Sequence, residues 1–223
     1  MDSHKLHYGT KNYDVYYPIN NNSSVIKALI KNRIWERKLV DIFKEYIKPN
    51  NVVIDIGAYI GTHTILFSNI AKKVIAFEPQ QFVGDCLRLT INENDMTNVV
   101  LHRVALHKAE GELEFGTNND GDASLKIHRK KKFNDNYFVK TKRLDDYELD
   151  KVDFIKIDTE GSEFAVLEGA KETIRIFKPI IVIEVFNTKK KMLQLEEFCF
   201  KNKYDYSNIN NENYLLLPDE YLY

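Results

Sequence analysis

The stretch VVIDIGAYIGTHT, residues 52–64, decides the fold of this 223-residue chain. A run rich in β-branched residues leads directly into Gly57 and Gly61, and Asp55 lies two positions before the first glycine. β-branched residues favour strands, and glycine permits the tight turn by which a buried strand passes into a helix. The stretch therefore predicts a strand, a glycine turn and a helix that continues to about residue 71.

The strand and helix pattern then repeats along the chain. Further buried strands are predicted at 74–77, 99–103, 152–157 and 180–185, with helices at 82–92, 162–177 and 189–202. Strands that are apolar on both faces and alternate with helices indicate a parallel sheet covered on both sides. Two last strands, near 204–206 and 214–217, have Asn-rich residues between them and are expected to form an antiparallel hairpin at one edge. The predicted fold is α/β, with a mostly parallel seven-stranded sheet.

Two regions depart from this alternation. Strands predicted at 111–115 and 137–141 are expected to pair across the loop between them, as an excursion over the sheet. Before residue 51, alternating aromatic and polar residues predict a short strand, and apolar residues at helical spacing over 25–47 predict one or two helices that carry Trp35. We therefore expect an N-terminal extension, 1–50, that packs near the ligand cleft, and a main domain, 51–223, in one compact fold.

Composition narrows the classes of partner. The 32 Lys and Arg residues balance 33 Asp and Glu residues, so the net charge of −1 gives no reason to expect nucleic acid or acidic lipid as a partner. Cys86 and Cys199 fall in predicted helices, which argues against a disulfide framework. The N-terminal residues lack the apolar core of a signal peptide, and no apolar run approaches the ~20 residues that span a bilayer. The expectation is a cytoplasmic protein without stable membrane insertion.

The glycine turn predicts a ligand site at the carboxyl end of the first strand. The spacing Gly57-Ala58-Tyr59-Ile60-Gly61 departs from the dinucleotide fingerprint, and Asp55 would repel a diphosphate but suit a sulfonium. Glu78 ends the second strand, where a carboxylate can accept both hydroxyls of a ribose. Together these features predict S-adenosylmethionine as the ligand, the alternative being a glycine turn with a structural role alone.

Several stretches resemble the FkbM-type methyltransferases, and the resemblance extends from Asn51 to Val185. They are VVIDIGAYIGTHT, AFEP at 76–79, NVVLHRVALHKAEGELEF at 98–115, RLDDY at 143–147 and FIKIDTEGSEFAVLEGA at 154–170. The resemblance implies a Rossmann-like class I fold and methylation of a hydroxyl with S-adenosylmethionine as donor. The acceptor it implies is a sugar, a glycolipid or a secondary metabolite, and a deoxyhexose such as rhamnose or fucose in a glycoconjugate is the first expectation.

The donor-binding residues assigned on this basis lie on the first two strands, on the turns that follow them and at two later strand ends. They are Asp55, Gly57, Ala58, Tyr59, Gly61, Thr62, Glu78, Pro79, Ala105 and Asp158.

Methyl transfer to an alcohol needs a group that takes the hydroxyl proton, or a metal ion that acidifies the hydroxyl. Asp158 ends the fourth parallel strand, Glu160 lies in the turn after it, and Glu184 ends the next strand. These three are the predicted catalytic residues and candidate ligands of Mg²⁺ or Mn²⁺, because hard cations bind oxygen. His63 is an alternative base, or else a first-turn residue that faces solvent. The structural alternative is that Asp158 or Ser162 caps the next helix and has no catalytic role.

Acceptor contacts are predicted from the loop and from aromatic residues. Asp122 and Ser124 lie in a stretch, 121–125, that resembles the small-residue stretch of the family, and the resemblance implies that it closes over the active site. Trp35 and Tyr59 could stack on a sugar ring. The basic run at 128–132 either recognises an anionic acceptor or is a solvated loop tip. Leu144-Asp145-Asp146 is expected to cap the turn before the next strand.

Other functional hypotheses stay open at this stage. One is methylation of a non-sugar hydroxyl, and another is a binding module without turnover. Methylation of nucleic-acid amines is disfavoured, because Asp158-Thr159-Glu160-Gly161 stands where such enzymes carry a Pro-Pro-aromatic tetrapeptide. Assembly as a homodimer also remains open.

Overall fold

The computed structural model describes residues 1–8, 10–118, 123–125 and 132–221. The predicted acceptor residue Asp122 and residues 128–131 of the basic run lie outside the described residues.

The N-terminal extension begins with a hairpin. Strands β1 (Asp2–Tyr8) and β2 (Lys11–Tyr17) pair antiparallel, where the sequence predicted a single strand. Helices α1 (Ser24–Ile30) and α2 (Arg37–Tyr46) follow, and the hydroxyl of Ser23 caps α1 by accepting from the Ile26 amide. The prediction that a helix carries Trp35 is wrong. Left-handed backbone at Asn32 and Glu36 interrupts the helical path and leaves Trp35 in the connecting turn.

The remaining elements follow in chain order. They are β3 (Val52–Ile56), α3 (Thr62–Ile70), β4 (Lys73–Phe77), α4 (Gln81–Glu93), β5 (Val99–His102), β6 (Ala105–Leu106), β7 (Gly111–Thr117), β8 (Ala123–Leu125), β9 (Asp135–Lys142), a 3-10 helix (Leu144–Asp146), β10 (Phe154–Ile157), α5 (Glu163–Gly169), α6 (Lys171–Phe177), β11 (Ile180–Glu184), α7 (Lys189–Asn202), β12 (Tyr204–Asn210), β13 (Asn213–Pro218) and a second 3-10 helix (Asp219–Tyr221).

The main sheet has the predicted architecture. Within the described residues its seven strands lie in the order β12-β13-β11-β10-β3-β4-β5. The five strands from β11 to β5 are parallel to one another, whereas β13 runs antiparallel to both β11 and β12. The mostly parallel seven-stranded sheet with a C-terminal edge hairpin is therefore confirmed. Parallel strands in one sheet bring their carboxyl ends to one edge, and this edge carries the predicted site residues.

Helices cover both faces of this sheet. On one face, Phe43 of α2 and Phe67 of α3 pack edge to face with ring centroids 4.9 Å apart, and Phe43 also meets Phe154 of β10. On the other face, α5, α6 and α7 contribute Val166, Ile174 and Leu195, among others, to a second buried cluster. Burial of such apolar side chains supplies the main stabilisation of the fold. In the described part of the chain, no helix is both long enough and apolar enough to cross a membrane.

The excursion forms a small second sheet. Its described strands have the order β6-β9-β7-β8, and β7 pairs antiparallel with β9, so that Gly111 lies opposite Thr141 and Phe115 opposite Tyr137. The predicted pairing of 111–115 with 137–141 is confirmed. The single helix predicted over 162–177 is wrong, because the chain turns at Ala170 and forms α5 and α6 separately.

The turn at 144–146 has the capping role that the sequence predicted, and a second role beside it. Asp146 accepts from the Arg143 amide at 3.2 Å and so caps the turn itself. Asp145 also accepts hydrogen bonds from the amides of Glu172 and Thr173, at 3.1 and 2.9 Å, and from the Thr173 hydroxyl at 2.9 Å. These amides belong to the first turn of α6, where backbone donors lack partners inside the helix. Asp145 thus caps α6 from outside the helix.

Replacing this cap should weaken the fold measurably. Asp145→Ala is expected to lower the free energy of unfolding by about 1 kcal/mol, the usual cost of losing a helix cap. Urea unfolding followed by circular dichroism measures it. The exposed Asp150→Ala is the matched control and should change little. Equal effects of the two substitutions would contradict the capping role.

Candidate functional site

A cavity of about 520 Å³ opens at the carboxyl ends of the parallel strands. The N-terminal extension and the second sheet supply its other walls, through residues such as Ser23 and Phe115. Most of the predicted site residues line it. They are Trp35, Gly57, Tyr59, Glu78, Pro79, Ala105, Asp158, Glu160 and Glu184.

The turn after β3 comes very close to the end of β10. Gly57 has a φ of 78°, in the left-handed region, and a Cβ at this position would lie 1.7 Å from the carbonyl oxygen of Asp158. Only glycine satisfies both constraints. Gly61, with a φ of 88°, precedes α3, and a Cβ there would lie 2.4 Å from Leu87. The two glycines therefore let the turn pass between neighbouring elements, and Gly57 also exposes its backbone to the cavity.

Glu78 is buried at the end of β4, with 2% of its surface exposed. One carboxylate oxygen accepts from the Tyr59 amide and the other from the Gln80 amide, each at 2.8 Å. Each oxygen keeps a second lone pair that can accept a ligand hydroxyl. Burial raises the pKa of Glu78 to about 7, against the opposing effect of the two amide donors. The geometry suits a pair of vicinal hydroxyls such as those of a ribose.

A buried ammonium lies beneath the junction of β3 and β10. Lys156 donates to the Gly57 carbonyl at 3.1 Å and to Asp158 Oδ2 at 3.2 Å, and its Nζ is 3.7 Å from Asp55 Oδ1. Burial alone would lower the pKa of Lys156, but Asp158, Asp55 and Glu36 together raise it above its usual value. Asp55 is fully buried, accepts from the Thr64 hydroxyl at 2.6 Å, and is not among the residues that line the cavity. Asp55 therefore stabilises the turn from the buried side, through Thr64 and Lys156.

Three carboxylates converge at the other end of the cavity. One oxygen from each of Asp158, Glu160 and Glu184 lies within 4.8 Å of the others. Burial, and then the charges of Asp158, Glu160 and Glu163, raise the pKa of Glu184 well above its usual range. Oxygen ligands at this spacing could hold a hard divalent cation.

The turn that carries Glu160 is fixed by Glu163. This buried carboxylate accepts from the Gly161 amide at 2.6 Å, the Thr159 hydroxyl at 3.2 Å and Lys191 Nζ at 2.9 Å. Lys191 also donates to the Gly161 carbonyl. Ser162 makes no side-chain cap on α5, so the alternative in which it caps this helix is wrong.

Several predicted residues lie away from the cavity lining. Asp55, Ala58, Gly61, Thr62, His63 and Ser124 are absent from it. His63 is 5% exposed and lies edge-on to Phe43, so the alternative in which it faces solvent is wrong. Burial and then Lys156 lower the pKa of His63 to about 3. Ser124 is buried on β8, where strand alternation directs the neighbouring Ala123 and Leu125 to the cavity instead.

Glu36 is a cavity residue that the sequence did not indicate. It lies in the turn between α1 and α2 with a φ of 47°, and Asn213 Nδ2 donates to its Oε1 at 3.3 Å. Burial, followed by the charge of Asp158, raises its pKa to about 7. A glutamate in a turn between helices has no local signature, because its place in the cavity depends on contacts far along the chain. Lys156 did leave a signal, as the lone charge in the strand Phe154–Ile157.

Comparisons with known proteins indicate a family of methyltransferases. The sequence model of the methyltransferase FkbM domain matches residues 55–207. The 2-O-methyltransferase NoeI of Sinorhizobium fredii is 28% identical over 159 residues, 62% of this chain and 63% of NoeI. The hexuronic acid methyltransferase AglP of Haloferax volcanii is 26% identical over 149 residues, 66% of this chain and 61% of AglP. The matched region thus spans about three fifths of each relative.

Solved structures share the fold. The methyltransferase FkbM of Methylobacillus flagellatus superposes with a TM-score of 0.58 and 16% identity, over 79% of this chain and 50% of that one. The Streptococcus mutans protein SMU.1697c, solved in complex with SAH, gives a TM-score of 0.52 and 15% identity, over 81% of this chain and 94% of that one. At such identities the likeness concerns the fold, which is that of class I methyltransferases. The family match covers more than half of the sequence, and the chain belongs to the FkbM methyltransferase family.

Proposed function

We propose that this chain transfers the methyl group of S-adenosylmethionine to a hydroxyl group of a sugar. The observation that carries the proposal is one continuous cavity with two chemically different ends. Glu78 and the Gly57 turn form one end, and Asp158, Glu160 and Glu184 form the other. The relatives support a sugar acceptor, because one of them is named for a hexuronic acid. A deoxyhexose such as rhamnose or fucose, within a glycan or glycoconjugate, is the acceptor we expect.

The donor occupies the end formed by β3 and β4. Glu78 accepts the ribose hydroxyls with the lone pairs that the Tyr59 and Gln80 amides leave free. Pro79 and Ala105 supply apolar wall for the adenine, and the left-handed turn at Gly57 lets backbone approach the methionine part of the donor. Asp55 acts indirectly in this scheme, by fixing Lys156 and the start of α3 through Thr64.

The acceptor hydroxyl lies beside Asp158, on the side of the carboxylate end that adjoins the Gly57 turn. Its oxygen attacks the methyl carbon in line with the breaking carbon–sulfur bond, the new carbon–oxygen bond forms, and the electron pair of the old bond remains on sulfur. The hydroxyl proton passes to a carboxylate. Asp158 is placed for this, because a third of its side chain is accessible while Lys156 holds one of its oxygens. Alignment of the two reactants supplies much of the rate acceleration in a reaction of this kind.

A divalent cation fits the same end. Asp158, Glu160 and Glu184 would hold it with carboxylate oxygens, which Mg²⁺ and Mn²⁺ prefer. Burial and the neighbouring Asp158, Glu160 and Glu163 raise the pKa of Glu184, and a bound cation would oppose that shift. When bound, the cation would lower the pKa of the acceptor hydroxyl and so ease the loss of its proton.

The proposal is tested by transfer of isotope from labelled S-adenosylmethionine. The acceptors are free and lipid-linked sugars that include rhamnose and fucose, together with non-sugar alcohols, each with and without EDTA. We expect label in a sugar ether. Loss of transfer with EDTA and its return with Mg²⁺ or Mn²⁺ would assign the cation. Label confined to non-sugar alcohols would contradict the sugar, and donor binding without any transfer would favour a binding module.

Asp158→Ala tests whether methyl transfer and donor binding depend on different ends of the cavity. We expect it to abolish transfer while donor binding changes by less than about tenfold, or ~1.4 kcal/mol. Calorimetry with S-adenosylhomocysteine measures binding, and the isotope assay measures turnover. Asp158→Asn is the matched variant, since it keeps an acceptor for Lys156 but removes the charge. Equal losses of binding and turnover would show that Asp158 acts on the donor instead.

Donor affinity should depend on pH through Glu78. The ionised carboxylate accepts the ribose hydroxyls, and its pKa is about 7 in the ligand-free protein. The ionised fraction falls about tenfold between pH 8 and pH 6, so the affinity for S-adenosylhomocysteine should fall by about that factor. Calorimetry at pH 6, 7 and 8 measures this trend. Glu78→Gln should bind weakly with a flatter pH dependence, and an unchanged slope in this variant would refute the assignment.

A further inference from the structure

The turn after β10 carries Glu160 in a strained backbone conformation. Glu160 has a φ of 56° and Gly161 a φ of 122°, both in the region that favours glycine. For a glutamate this conformation costs free energy, and it persists only where the surrounding contacts hold it. The contacts around Gly161 therefore help to decide where the carboxylate of Glu160 lies.

Both polar backbone groups of Gly161 are held by one ion pair. Its amide donates to Glu163 Oε1 at 2.6 Å, and its carbonyl accepts from Lys191 Nζ at 2.9 Å. Lys191 Nζ also donates to Glu163 Oε2 at 2.9 Å, which closes a ring of three hydrogen bonds. The side chain of Glu163 is 1% exposed and that of Lys191 20%, so the pair is largely shielded from water. Hydrogen bonds of ionised groups are strong, and more so in such surroundings.

Lys191 comes from a part of the chain that is distant in sequence from this turn. It lies in the first turn of α7, where its amide donates to Thr188 Oγ1 at 3.3 Å. Its ammonium is 5.3 Å from the ring centroid of Phe164 in α5, and 5.9 Å from that of Phe186 between β11 and α7. Both distances allow a cation–π attraction. Lys191 thus contacts the chain that follows β10 and the chain that follows β11.

The chain that follows β11 is itself fixed to the C-terminal hairpin. The Val185 amide donates to the Glu212 carbonyl at 2.6 Å, and Asn187 Nδ2 donates to the Asn211 carbonyl at 2.7 Å. The hydroxyl of Tyr214, on β13, donates to Asn187 Oδ1 at 2.6 Å. Lys191 therefore ties the strained turn to a part of the molecule that is already held in place.

We propose that Lys191 is a positioning residue for methyl transfer, which acts through Gly161 on Glu160. By holding the Gly161 peptide, it keeps Glu160 in the conformation that brings a carboxylate oxygen within 4.8 Å of oxygens from the other two carboxylates of the cluster. This inference rests on the proposed function and adds a residue to its site. Lys191 is not among the described residues that line the cavity, so its effect passes through the turn and involves no contact with substrate.

Loss of Lys191 should affect the two ends of the cavity differently. Without the ammonium, the Gly161 carbonyl loses its donor and the strained turn can relax, which moves the carboxylate of Glu160. The donor end depends on other contacts, those of Glu78 with the amides of Tyr59 and Gln80. We therefore expect slower transfer with nearly unchanged donor binding.

Three variants and a matched control test the proposal. Lys191→Met removes the ammonium but keeps an unbranched apolar side chain beside the two phenyl rings. Because it leaves Glu163 buried without its cation, which alone can unfold a protein, the double variant Lys191→Met with Glu163→Gln removes both charges. Lys191→Arg keeps the charge and the donors and is the rescue variant. Lys190→Met makes the same change of charge at an exposed neighbouring position and is the control.

The isotope assay gives kcat and KM with an acceptor that the wild type methylates, well below the unfolding midpoint of each variant. We expect kcat to fall by at least about tenfold, or ~1.4 kcal/mol, in Lys191→Met and in the double variant. The affinity for S-adenosylhomocysteine, measured by calorimetry, should change by less than about threefold. Lys191→Arg should recover most of kcat, and Lys190→Met should match the wild type. A role in stability alone would lower the unfolding midpoint and leave kcat of the folded protein unchanged.

Binding of Mn²⁺, titrated by electron paramagnetic resonance, reports on the same carboxylates without turnover. Because Glu160 is one of the three candidate ligands, we expect binding at least about tenfold weaker in Lys191→Met than in the wild type and Lys190→Met. A wild type that binds no Mn²⁺ would contradict the cation, and the comparison of kcat would then decide the role of Lys191.

The remaining outcomes separate this inference from the proposed function. Unchanged kcat in the double variant would overturn the role of Lys191 while the proposed methylation stands. Equal losses of kcat and of S-adenosylhomocysteine affinity would also overturn it, because they would show a general disturbance of the cavity. A wild type that binds S-adenosylhomocysteine but methylates no acceptor would count against the proposed function itself, and the inference would fall with it.

Discussion

The buried ammonium of Lys156 joins the two strand ends on which the cavity depends. Lys156 lies opposite Asp55 in the pairing of β10 with β3, and its Nζ reaches the Gly57 carbonyl and Asp158 as well. An ion buried without a partner costs several kcal/mol, so Asp55 and Lys156 each require the other. The contact also sets the register between the glycine turn and Asp158. The glycine turn and Asp158, at two ends of the cavity wall, are therefore positioned by a single group of charges.

The close approach of Gly57 to Asp158 follows from this arrangement. No side chain separates the turn after β3 from the carbonyl of Asp158, since even a Cβ would overlap it. The two strand ends can then lie at the ordinary spacing of a sheet, and the cavity opens directly above the junction. The glycine in the opening sequence motif thus serves two purposes. It forms the turn, and it lets β10 lie beside that turn.

Local patterns in the sequence were sufficient to predict the sheet. Apolar runs such as Ile180–Glu184, separated by helical periodicity, predicted parallel strands, and parallel strands bring Glu78, Asp158 and Glu184 to one edge. Features that depend on distant contacts were missed. The helix predicted over 162–177 divides at Ala170, where Asp145, some 25 residues earlier, caps the second part. Periodicity cannot reveal such a break.

The site itself was predictable to the extent that it lies at strand ends. Glu36 was not, because its position depends on left-handed backbone and on Asn213, 177 residues away. His63 follows the glycine turn directly, yet helical rotation directs it to Phe43 and the core. Ser124 was correctly expected on the excursion, but strand alternation directs it away from the cavity. The sequence shows which residues lie at the ends of the strands. The direction in which each side chain points depends on the packed structure and cannot be read from the sequence.

The N-terminal extension supplies one wall of the cavity, which includes Trp35 and Glu36. Its core residues are shared with the rest of the chain: Phe43 packs on Phe67 and Phe154, and Leu29 belongs to a cluster that includes Ile60. Because these contacts are buried, the turn between α1 and α2 is held firmly against β13. Glu36 can then keep a strained backbone and a crowded charge, which a freely moving loop would relax. The stability of the extension thus holds Glu36 in the wall of the cavity.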